Sequence, residues 1–331
     1  MTAMSGGLKG SRILVTGGAG FIGSHSAKRL HEEGNFVRIV DTKESEFMKT
    51  KYYDEFLKLD LRQYDNCLKV TENIDQVFNF AANMGGIGFI TEVGADVMRD
   101  NVLINTNMLE ASRINGVQKY FFSSSACIYP IFKQTVPDLP GLKESDAYPA
   151  DPNEFYGWEK LFCEKMCEAY RRDYGLNIMV ARYHNVYGPE GTYEGGREKA
   201  PASLCRKVAM VDDPGEITIW GDGKQTRSFL YITDCVEATI RLVDKEYHEP
   251  LNIGSDRLVT IDQLADLIIG ISGKKILKKY DLSKPQGVRG RNADLTLVKK
   301  VLNWQPQVSL EEGLRRTYEW ILREVQAKRS T

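Results

Sequence analysis

The chain has 331 residues, of which 42% are hydrophobic and 27% charged, and its formal net charge is −1 at pH 7. This length is enough for a large hydrophobic core in one or two domains. The near-neutral charge argues against nucleic acid as the main partner, because binding to many phosphates requires an excess of Lys and Arg.

We find no sign in the sequence of a secretory signal, a membrane-crossing helix or a disulfide framework. No apolar run approaches the roughly 20 residues that a membrane-crossing helix requires, and residues 1–10 lack the apolar stretch of a secretory signal. The cysteines lack the spacing of a disulfide framework, and Cys163 and Cys167 lie four apart with no His nearby. We therefore expect reduced thiols, no metal site, no membrane partner and a cytoplasmic location.

Short apolar runs alternate with helical patterns along the first half of the chain. The sequence predicts strands at 12–16, 37–40, 77–82 and 120–123, and helices at 24–33, 60–71, 97–114 and 156–174. Such alternation is typical of βαβ units and a parallel sheet. We expect an α/β fold with a Rossmann-type, doubly wound parallel sheet.

The pattern loosens after about residue 190. Residues 192–201 are rich in Gly and charge, and a short strand at 217–220 precedes a turn. Capping boxes at Thr260 with Gln263 and at Ser309 with Glu312 mark two helix starts. We expect residues 1–190 mainly to form a dinucleotide-binding domain. Residues 191–331 would mainly form a smaller α/β domain over the substrate, with some chain crossover between the two.

Three glycines predict a dinucleotide site. Gly17, Gly20 and Gly23 follow the first strand and open a helix, where missing β-carbons and free N–H groups suit a pyrophosphate. Asp41, which ends the second strand, can accept both ribose hydroxyls and repels a 2′-phosphate, so NAD is favoured over NADP. Asp60 either reaches the adenine amino group or caps the next helix.

Tyr156 and Lys160 form a Tyr-x-x-x-Lys pair. Tyrosine is a poor base because its ordinary pKa is ~10, but a lysine on the same helix face stabilises the phenolate and can hold the nicotinamide ribose. Alone, the pair would more often be a helix start with an exposed lysine. Beside a nicotinamide site it predicts reversible hydride transfer at a hydroxyl, with Ser125 orienting the substrate oxygen.

Several motifs resemble the extended short-chain dehydrogenase/reductase superfamily over about residues 11–325. They are residues 16–23 (TGGAGFIG), 81–83 (AAN), 156–160 (YGWEK), 185–189 (NVYGP) and 252–255 (NIGS). Residues 125–130 (SACIYP) are similar to two branches that act on GDP-hexoses, the GDP-fucose synthases and the GDP-mannose 3,5-epimerases. Residues 195–201 (GGREKAP), 84–89 (MGGIGF) and 285–292 (PQGVRGRN) resemble the epimerases.

This resemblance implies an NAD-dependent isomerase that acts on GDP-mannose or a closely related GDP-hexose. Transient oxidation at C4 would make the C3 and C5 hydrogens acidic. Cys127 would then act as base and Lys199 as acid, before C4 is reduced again. The products would be GDP-L-galactose and, from inversion at C5 alone, GDP-L-gulose. On their own, Cys127 would more often be a small buried hydrophobe and Lys199 a solvated loop charge.

The resemblance also implies two sets of binding residues and a homodimer. The cofactor would contact Gly17, Gly20, Phe21, Ile22, Gly23, Asp41, Asp60, Leu61, Ala81, Ala82, Tyr156 and Lys160. The nucleotide sugar would contact Gly85, Gly86, Ser125, Cys127, Asn185, Glu198, Lys199, Lys207, Gln225, Arg227 and Arg289.

Some of these assignments have alternatives. Lys207, Arg227 and Arg289 could be solvated surface charges, and Asn185 could cap local backbone. His184 is expected to be structural. The helix from Tyr156, through Phe162 and Met166, either supplies a dimer contact or belongs to the core.

Three other functions stay open. A GDP-fucose-synthase-like enzyme would consume NADPH, which Asp41 and Lys199 argue against. Another nucleotide-hexose epimerase, such as a UDP-hexose 4-epimerase, would not need Cys127 or Lys199. A non-catalytic dinucleotide-binding scaffold would usually lack the Tyr-x-x-x-Lys pair.

Overall fold

A computed structural model describes residues 10–329, so most of the N-terminal segment tested above for a signal lies outside the described residues. Within that range the helices, in chain order, are α1 (Phe21–Glu32), α2 (Tyr64–Thr71), α3 (Ile87–Glu92), α4 (Gly94–Ile114), α5 (Phe155–Tyr174), α6 (Ala200–Met210), α7 (Ile232–Lys245), α8 (Ile261–Ser272), α9 (Thr296–Leu302) and α10 (Leu310–Arg329). None of these helices is long and apolar enough to cross a membrane.

The strands of residues 10–329 form one large sheet and three small ones. In chain order they are β1 (Arg12–Thr16), β2 (Phe36–Asp41), β3 (Glu55–Lys58), β4 (Gln76–Asn79), β5 (Lys119–Ser125), β6 (Ile178–Tyr183), β7 (Val186–Tyr187), β8 (Gly215–Trp220), β9 (Thr226–Arg227), β10 (Leu230–Tyr231), β11 (Leu251–Ile253), β12 (Val259–Thr260), β13 (Ile276–Asp281) and β14 (Gly290–Arg291).

The large sheet has seven strands in the order β3-β2-β1-β4-β5-β6-β11, and its pairs are parallel. Alternate residues of the strands enter two separate cores: Ile13 and Val15 face one side, while Leu14 faces the other. Helices α1 and α7 contact each other, as do α2 with α4 and α4 with α5. The predicted Rossmann-type α/β fold is confirmed.

The small sheets lie in the second half of the chain. They pair β10 with β7, β9 with both β12 and β14, and β13 with β8. Buried residues of α8 and α10, such as Leu264 and Leu314, join the same core as Ile13. After residue 190, α7 packs against β6 and β11 pairs with β6 of the large sheet. The division into two domains at that residue, with crossover of the chain, stays a prediction.

Two predicted elements are shorter than expected. The strand predicted at 77–82 ends at Asn79, because the N–H groups of Phe80 and Ala81 donate to the hydroxyl of Thr16, at 3.1 and 3.0 Å, and the chain then leaves the sheet. The helix predicted from residue 60 starts at Tyr64, after a turn in which Asp60 Oδ1 accepts from Arg62 N–H at 2.9 Å. The N-cap is Gln63, so the capping alternative for Asp60 is wrong.

The marked helix starts are present. Thr260 and Gln263 form a reciprocal capping box at the start of α8. At the start of α10, Ser309 Oγ accepts from Glu312 N–H at 3.2 Å. Side chains therefore satisfy N–H groups that a helix leaves without partners.

Gly157 sets the distance between α5 and the segment that follows β5. A β-carbon at this position would overlap the carbonyl oxygen of Cys127 and approach Pro152 Cβ to 2.8 Å. The helix carrying Tyr156 therefore lies against the backbone of Cys127, which a larger residue would prevent.

We expect Gly157→Ala to destabilise the protein by about 1–3 kcal/mol, because overpacking outweighs the better helix propensity of alanine. Gly270→Ala in α8 is the matched control, since nothing lies within 4 Å of its β-carbon position. There the same change should stabilise by roughly 0.5–1 kcal/mol. Urea unfolding measures both, and equal effects at the two sites would contradict the close contact.

Candidate active site

A cavity of about 510 Å³ lies at the carboxyl ends of the central strands. Parallel α/β sheets bind ligands at this edge, where the strand order reverses. Every residue predicted to contact the cofactor lines the cavity. Of the residues predicted to contact the nucleotide sugar, Gly85, Ser125 and Lys199 line it.

The glycine loop fits a pyrophosphate. Gly17 has φ +62°, and a β-carbon there would lie 2.9 Å from Ala81 N. Gly20 is the N-cap of α1 and offers no side-chain cap, and the first turn of the helix contains no acidic residue. The helix N-terminus therefore presents N–H groups and positive dipole to an anion.

Two carboxylates lie where the adenosine half of a dinucleotide is expected. Asp41 Oδ2 accepts from Ala19 N–H at 3.1 Å, which fixes the carboxylate beside the glycine loop. Asp60 lines the same cavity, and Arg62 lies 2.6 Å from it and 3.2 Å from Asp100. The hydrogen bond from Arg62 lowers the pKa of Asp60.

The Tyr-x-x-x-Lys pair is buried at the start of α5. Lys160 is 1% exposed, its Nζ donates to Ser123 O at 3.0 Å, and Nζ lies 5.7 Å from the ring centroid of Tyr156. Burial raises the pKa of Tyr156 well above its ordinary value. Glu159 and Cys127 raise it further, against a hydrogen bond with Ser125. Formation of a phenolate at Tyr156 would therefore require nearby positive charge, and Lys160 Nζ lies close to its ring.

Cys127 lies in a 3₁₀ turn directly after β5. Its N–H donates to Ser125 Oγ at 3.2 Å, and it is half-buried whereas the chain's other cysteines are buried. Burial alone raises the pKa of the thiol. The charges of Arg291 and Lys199 and hydrogen bonds with Ser125 and Arg291 outweigh burial, so the pKa lies below its ordinary value. A lowered pKa increases the fraction of thiolate, the nucleophilic and basic form.

Lys199 is the half-buried N-cap residue of α6. Burial lowers the pKa of its amine, opposed by Cys127 and Cys235 and reinforced by Arg291. A lowered pKa makes an ammonium group a stronger acid. The charges of Cys127 and Lys199 thus each shift the pKa of the other group.

Two strands bring two arginines to Cys127. Arg227 of β9 is paired in register with Arg291 of β14, and Arg291 Nη1 donates to Cys127 Sγ at 3.3 Å. Burial, followed by the charge of Arg291, lowers the pKa of Arg227 to about 9. Within residues 10–329, neither arginine nor Lys199 has a carboxylate within ion-pair distance.

Arg289 was predicted from the sequence to contact the nucleotide sugar, whereas Arg291 was not. Arg289 donates to both carboxylate oxygens of Asp222 at 2.9 Å. The planar guanidinium of Arg289 is therefore already engaged by a carboxylate of the protein. The two arginines are separated by one residue in the VRGR motif, so local sequence alone does not distinguish them. The register of β14 against β9 does.

Other residues predicted to contact the sugar nucleotide lie around this centre. Gly86 N–H donates to Arg197 O at 3.0 Å, and a β-carbon on Gly86 would lie 2.7 Å from Glu198 O, so these two loops touch. Lys207 Nζ donates to Thr218 O at 2.6 Å. Gln225 Nε2 donates to Trp220 O at 3.2 Å.

Asn185 and His184 have partners within the protein. Asn185, at φ +35°, donates through Nδ2 to Ser228 O at 3.0 Å, so its side chain binds a backbone carbonyl that is distant in sequence and not the local backbone. His184 is fully buried, and its Nε2 lies 3.0 Å from Asn252 Oδ1. Burial lowers the pKa of His184 to about 3, so it stays neutral in a structural position. Among residues 10–329, no group of three or more His, Cys, Asp or Glu could hold a metal ion.

Residues 13–254 match the model of the NAD dependent epimerase/dehydratase family. The chain is 48% identical to a GDP-mannose 3,5-epimerase of Arabidopsis thaliana, over 96% of this chain and 84% of that one. It is 33% identical to a GDP-L-fucose synthase of Sinorhizobium fredii, over 94% of this chain and 96% of that one. The UDP-glucose 4-epimerase of Thermotoga maritima, solved with UDP-glucose, superposes with a TM-score of 0.86 at 30% identity, covering 95% and 99% of the chains.

The chain belongs to the NAD dependent epimerase/dehydratase family. It is an isomerase whose cofactor is NAD, and the glycine loop and Asp41 fit that cofactor. The resemblance to GDP-mannose 3,5-epimerases found in the sequence is confirmed by the Arabidopsis relative.

We expect Asp41→Ser to weaken NAD binding about 10- to 100-fold, because hydrogen bonds to a charged acceptor contribute about 1.5–3 kcal/mol. NADP binding should improve relative to NAD, since the carboxylate that repels a 2′-phosphate is gone. Titration of the apoenzyme with each dinucleotide measures the ratio. Glu44→Gln, an exposed carboxylate in the same loop, is the control. An unchanged ratio in Asp41→Ser would argue against its contact with the ribose.

Proposed function

We propose that this protein inverts C3 and C5 of GDP-mannose to form GDP-L-galactose, and forms GDP-L-gulose when C5 alone is inverted. The observation that carries this proposal is the thiol of Cys127 electrostatically coupled to the amine of Lys199, beside Tyr156 in one site. The 48% identity with a GDP-mannose 3,5-epimerase supports the choice of substrate.

The first step is removal of the C4 hydroxyl proton. Tyr156 takes this proton and Ser125 holds the oxygen, because the two side chains are hydrogen-bonded and line the cavity together. Lys160, whose Nζ is fixed by Ser123 O, stabilises the phenolate by its charge. The chemistry that bound NAD supplies is reversible acceptance of the C4 hydride.

The ketone at C4 then makes two hydrogens acidic. Loss of a proton from C3 or C5 gives a carbanion that delocalises onto the C4 oxygen, so one oxidation activates both carbons. Cys127 removes a proton as thiolate, and Lys199 delivers one to the opposite face as ammonium. The lowered pKa of each group suits its part.

Arg227 and Arg291 are suited to the diphosphate. Both guanidinium groups are at least half-buried, and neither has a carboxylate partner in the described chain. A bound anion would offset the free energy that their desolvation costs. The planar guanidinium fork matches pairs of phosphate oxygens. We therefore assign the phosphates to these arginines and leave Arg289 with Asp222.

Trp220 is suited to the guanine end. Its side chain is 41% exposed, and the Nζ atoms of Lys207 and Lys284 lie 5.9 and 5.8 Å from its ring. A flat indole can stack with a base, and ammonium groups complement the acceptor edge of guanine. Gly88 of α3 approaches the same ring, with 3.8 Å from its β-carbon position.

We expect Cys127→Ala and Lys199→Ala to abolish inversion, with losses of 10²-fold or more, because each lacks one proton-transfer group. Incubation with GDP-mannose in heavy water followed by NMR measures deuterium at C3 and C5. Oxidation at C4 needs neither group, so NADH absorbance should still appear with substrate.

Tyr156→Phe is the matched control, because it should suppress the NADH signal itself. Inversion that survives in both Cys127→Ala and Lys199→Ala would contradict the proposed acid and base. Net consumption of NADPH with a 4-keto substrate would instead indicate a GDP-fucose-synthase-like reaction.

We also propose a homodimer formed through α4 and α5. These helices contact each other and expose several large apolar side chains: Leu103 and Ile114 on α4, and Phe155, Trp158 and Phe162 on α5. Phe162 is 50% exposed, so the core alternative is wrong for it, whereas Met166 packs against the core. Exposed apolar surface on two adjacent helices is typical of a protein interface.

We expect Phe162→Glu to convert the dimer to a monomer at micromolar concentration, because a charge would be buried at the interface. Sedimentation equilibrium measures the change in mass. Leu277→Glu alters a side chain that is 72% exposed on β13 and should leave the mass unchanged. A chain that is monomeric before any substitution would disprove this interface.

A further inference from the structure

Arg291 is the side chain that touches the sulfur of Cys127. Its Nη1 lies 3.3 Å from Sγ, and its Nε donates to Gln134 Oε1 at 2.5 Å. One guanidinium thus contacts both the amide oxygen and the sulfur, through two of its three nitrogens.

Gln134 is held in one orientation. Its Nε2 donates to the carbonyl oxygens of Tyr129 at 3.0 Å and Pro130 at 3.1 Å. Carbonyl oxygens only accept, so the NH₂ group must face them and Oε1 must face Arg291. Gln134 is 1% exposed, and its own carbonyl accepts from Arg289 N–H at 2.9 Å. The amide is therefore a rigid, fully bonded acceptor.

The other groups that face Cys127 come from four further elements. Lys199 is the N-cap residue of α6, and Arg227 belongs to β9. Tyr156 belongs to α5, and Ser125, whose hydroxyl accepts from Cys127 N–H, is the last residue of β5. Lys199 loses its charge whenever it gives up a proton. The guanidinium of Arg291 stays protonated throughout, and no carboxylate among residues 10–329 pairs with it.

We propose that Gln134 is a positioning residue for the reaction: it aims the guanidinium of Arg291 at Cys127 Sγ and so keeps the base in its thiolate form. This inference rests on the proposed function in one respect only, the role of Cys127 as base. Arg291 then has a second task besides attracting phosphate. That task depends on the orientation of the Arg291 guanidinium as well as on its charge.

The test measures the acidity of the Cys127 thiol without substrate. Iodoacetamide should label Cys127 selectively, because the other cysteines are buried. The alkylation rate of the NAD-loaded enzyme is followed by mass spectrometry from pH 5 to 10, with Cys127→Ser defining the background. Thiolate is the reactive form, so the midpoint reports the thiol pKa.

We expect Arg291→Gln to raise this midpoint by about one unit or more, which slows alkylation at pH 7 about tenfold, since a cation that stabilises the thiolate is lost. Gln134→Met keeps the charge of Arg291 but removes its anchor, and should raise the midpoint as well. Lys133→Gln removes an exposed charge next to Gln134 and should leave the midpoint unchanged.

Gln134→Met also strips two buried carbonyls of their donor and could prevent folding. Arg291→Lys keeps the positive charge, and the amide of Gln134 can still donate to the two carbonyls. An ammonium group, however, lacks the planar guanidinium that contacts Gln134 Oε1 with one nitrogen and Cys127 Sγ with another. A raised midpoint in Arg291→Lys supports the proposal, and a midpoint equal to that of the unchanged enzyme overturns it.

The two proposals fail in different measurements. If the midpoint shifts but Cys127→Ala still inverts the sugar, the role of Cys127 as base is wrong and the control of its acidity stands. If Cys127→Ala abolishes inversion and the midpoint does not move in Arg291→Lys, Gln134 has no positioning role. In Arg291→Lys, the acid limb of the deuterium-exchange pH profile should move to higher pH by the same amount as the midpoint.

Discussion

The site depends on positive charge gathered around one thiol without a carboxylate to neutralise it. In the described chain, Arg291, Arg227 and Lys199 have no acidic partner, although the protein has about as many acidic as basic residues. Each of these charges is at least half-buried, which costs free energy that an internal ion pair would have offset. The arrangement therefore favours anions at this place: a thiolate and, as proposed, a diphosphate.

This concentration of charge requires both halves of the chain. Cys127 follows β5 of the large sheet, while Arg227 and Arg291 lie on two strands separated from it by about a hundred residues or more. The contacts of α7 and β11 with the large sheet tie the two halves together. Gly157 adds the local constraint, because it lets the helix of Tyr156 approach the Cys127 backbone.

The sequence was most informative where one local motif carries the chemistry. The glycine loop, Asp41 and the Tyr156–Lys160 pair were predictable because each function needs residues within one strand-turn-helix unit. Arg291 and Gln134 were not, since Arg291 reaches both Cys127 and Gln134 from a distant segment of the chain. The predicted limits of β4 and α2 were wrong where the chain turns toward the cavity. Residues 80–82 and 60–62 line the cavity there and do not continue the strand or the helix.

The site contains groups whose charge changes during the proposed cycle and a guanidinium group whose charge does not. Tyr156, Cys127 and Lys199 exchange protons in the proposed cycle, so each must be able to exist in two protonation states near neutral pH. Lys199 therefore cannot also be the constant source of the field that keeps Cys127 ionised, because it becomes neutral once it has delivered its proton. A guanidinium keeps its charge in every step. Placing Arg291 on the sulfur and fixing it by a neutral amide gives the base a positive charge that persists when the acid is neutral, whereas a carboxylate anchor would have cancelled the charge that the thiolate needs.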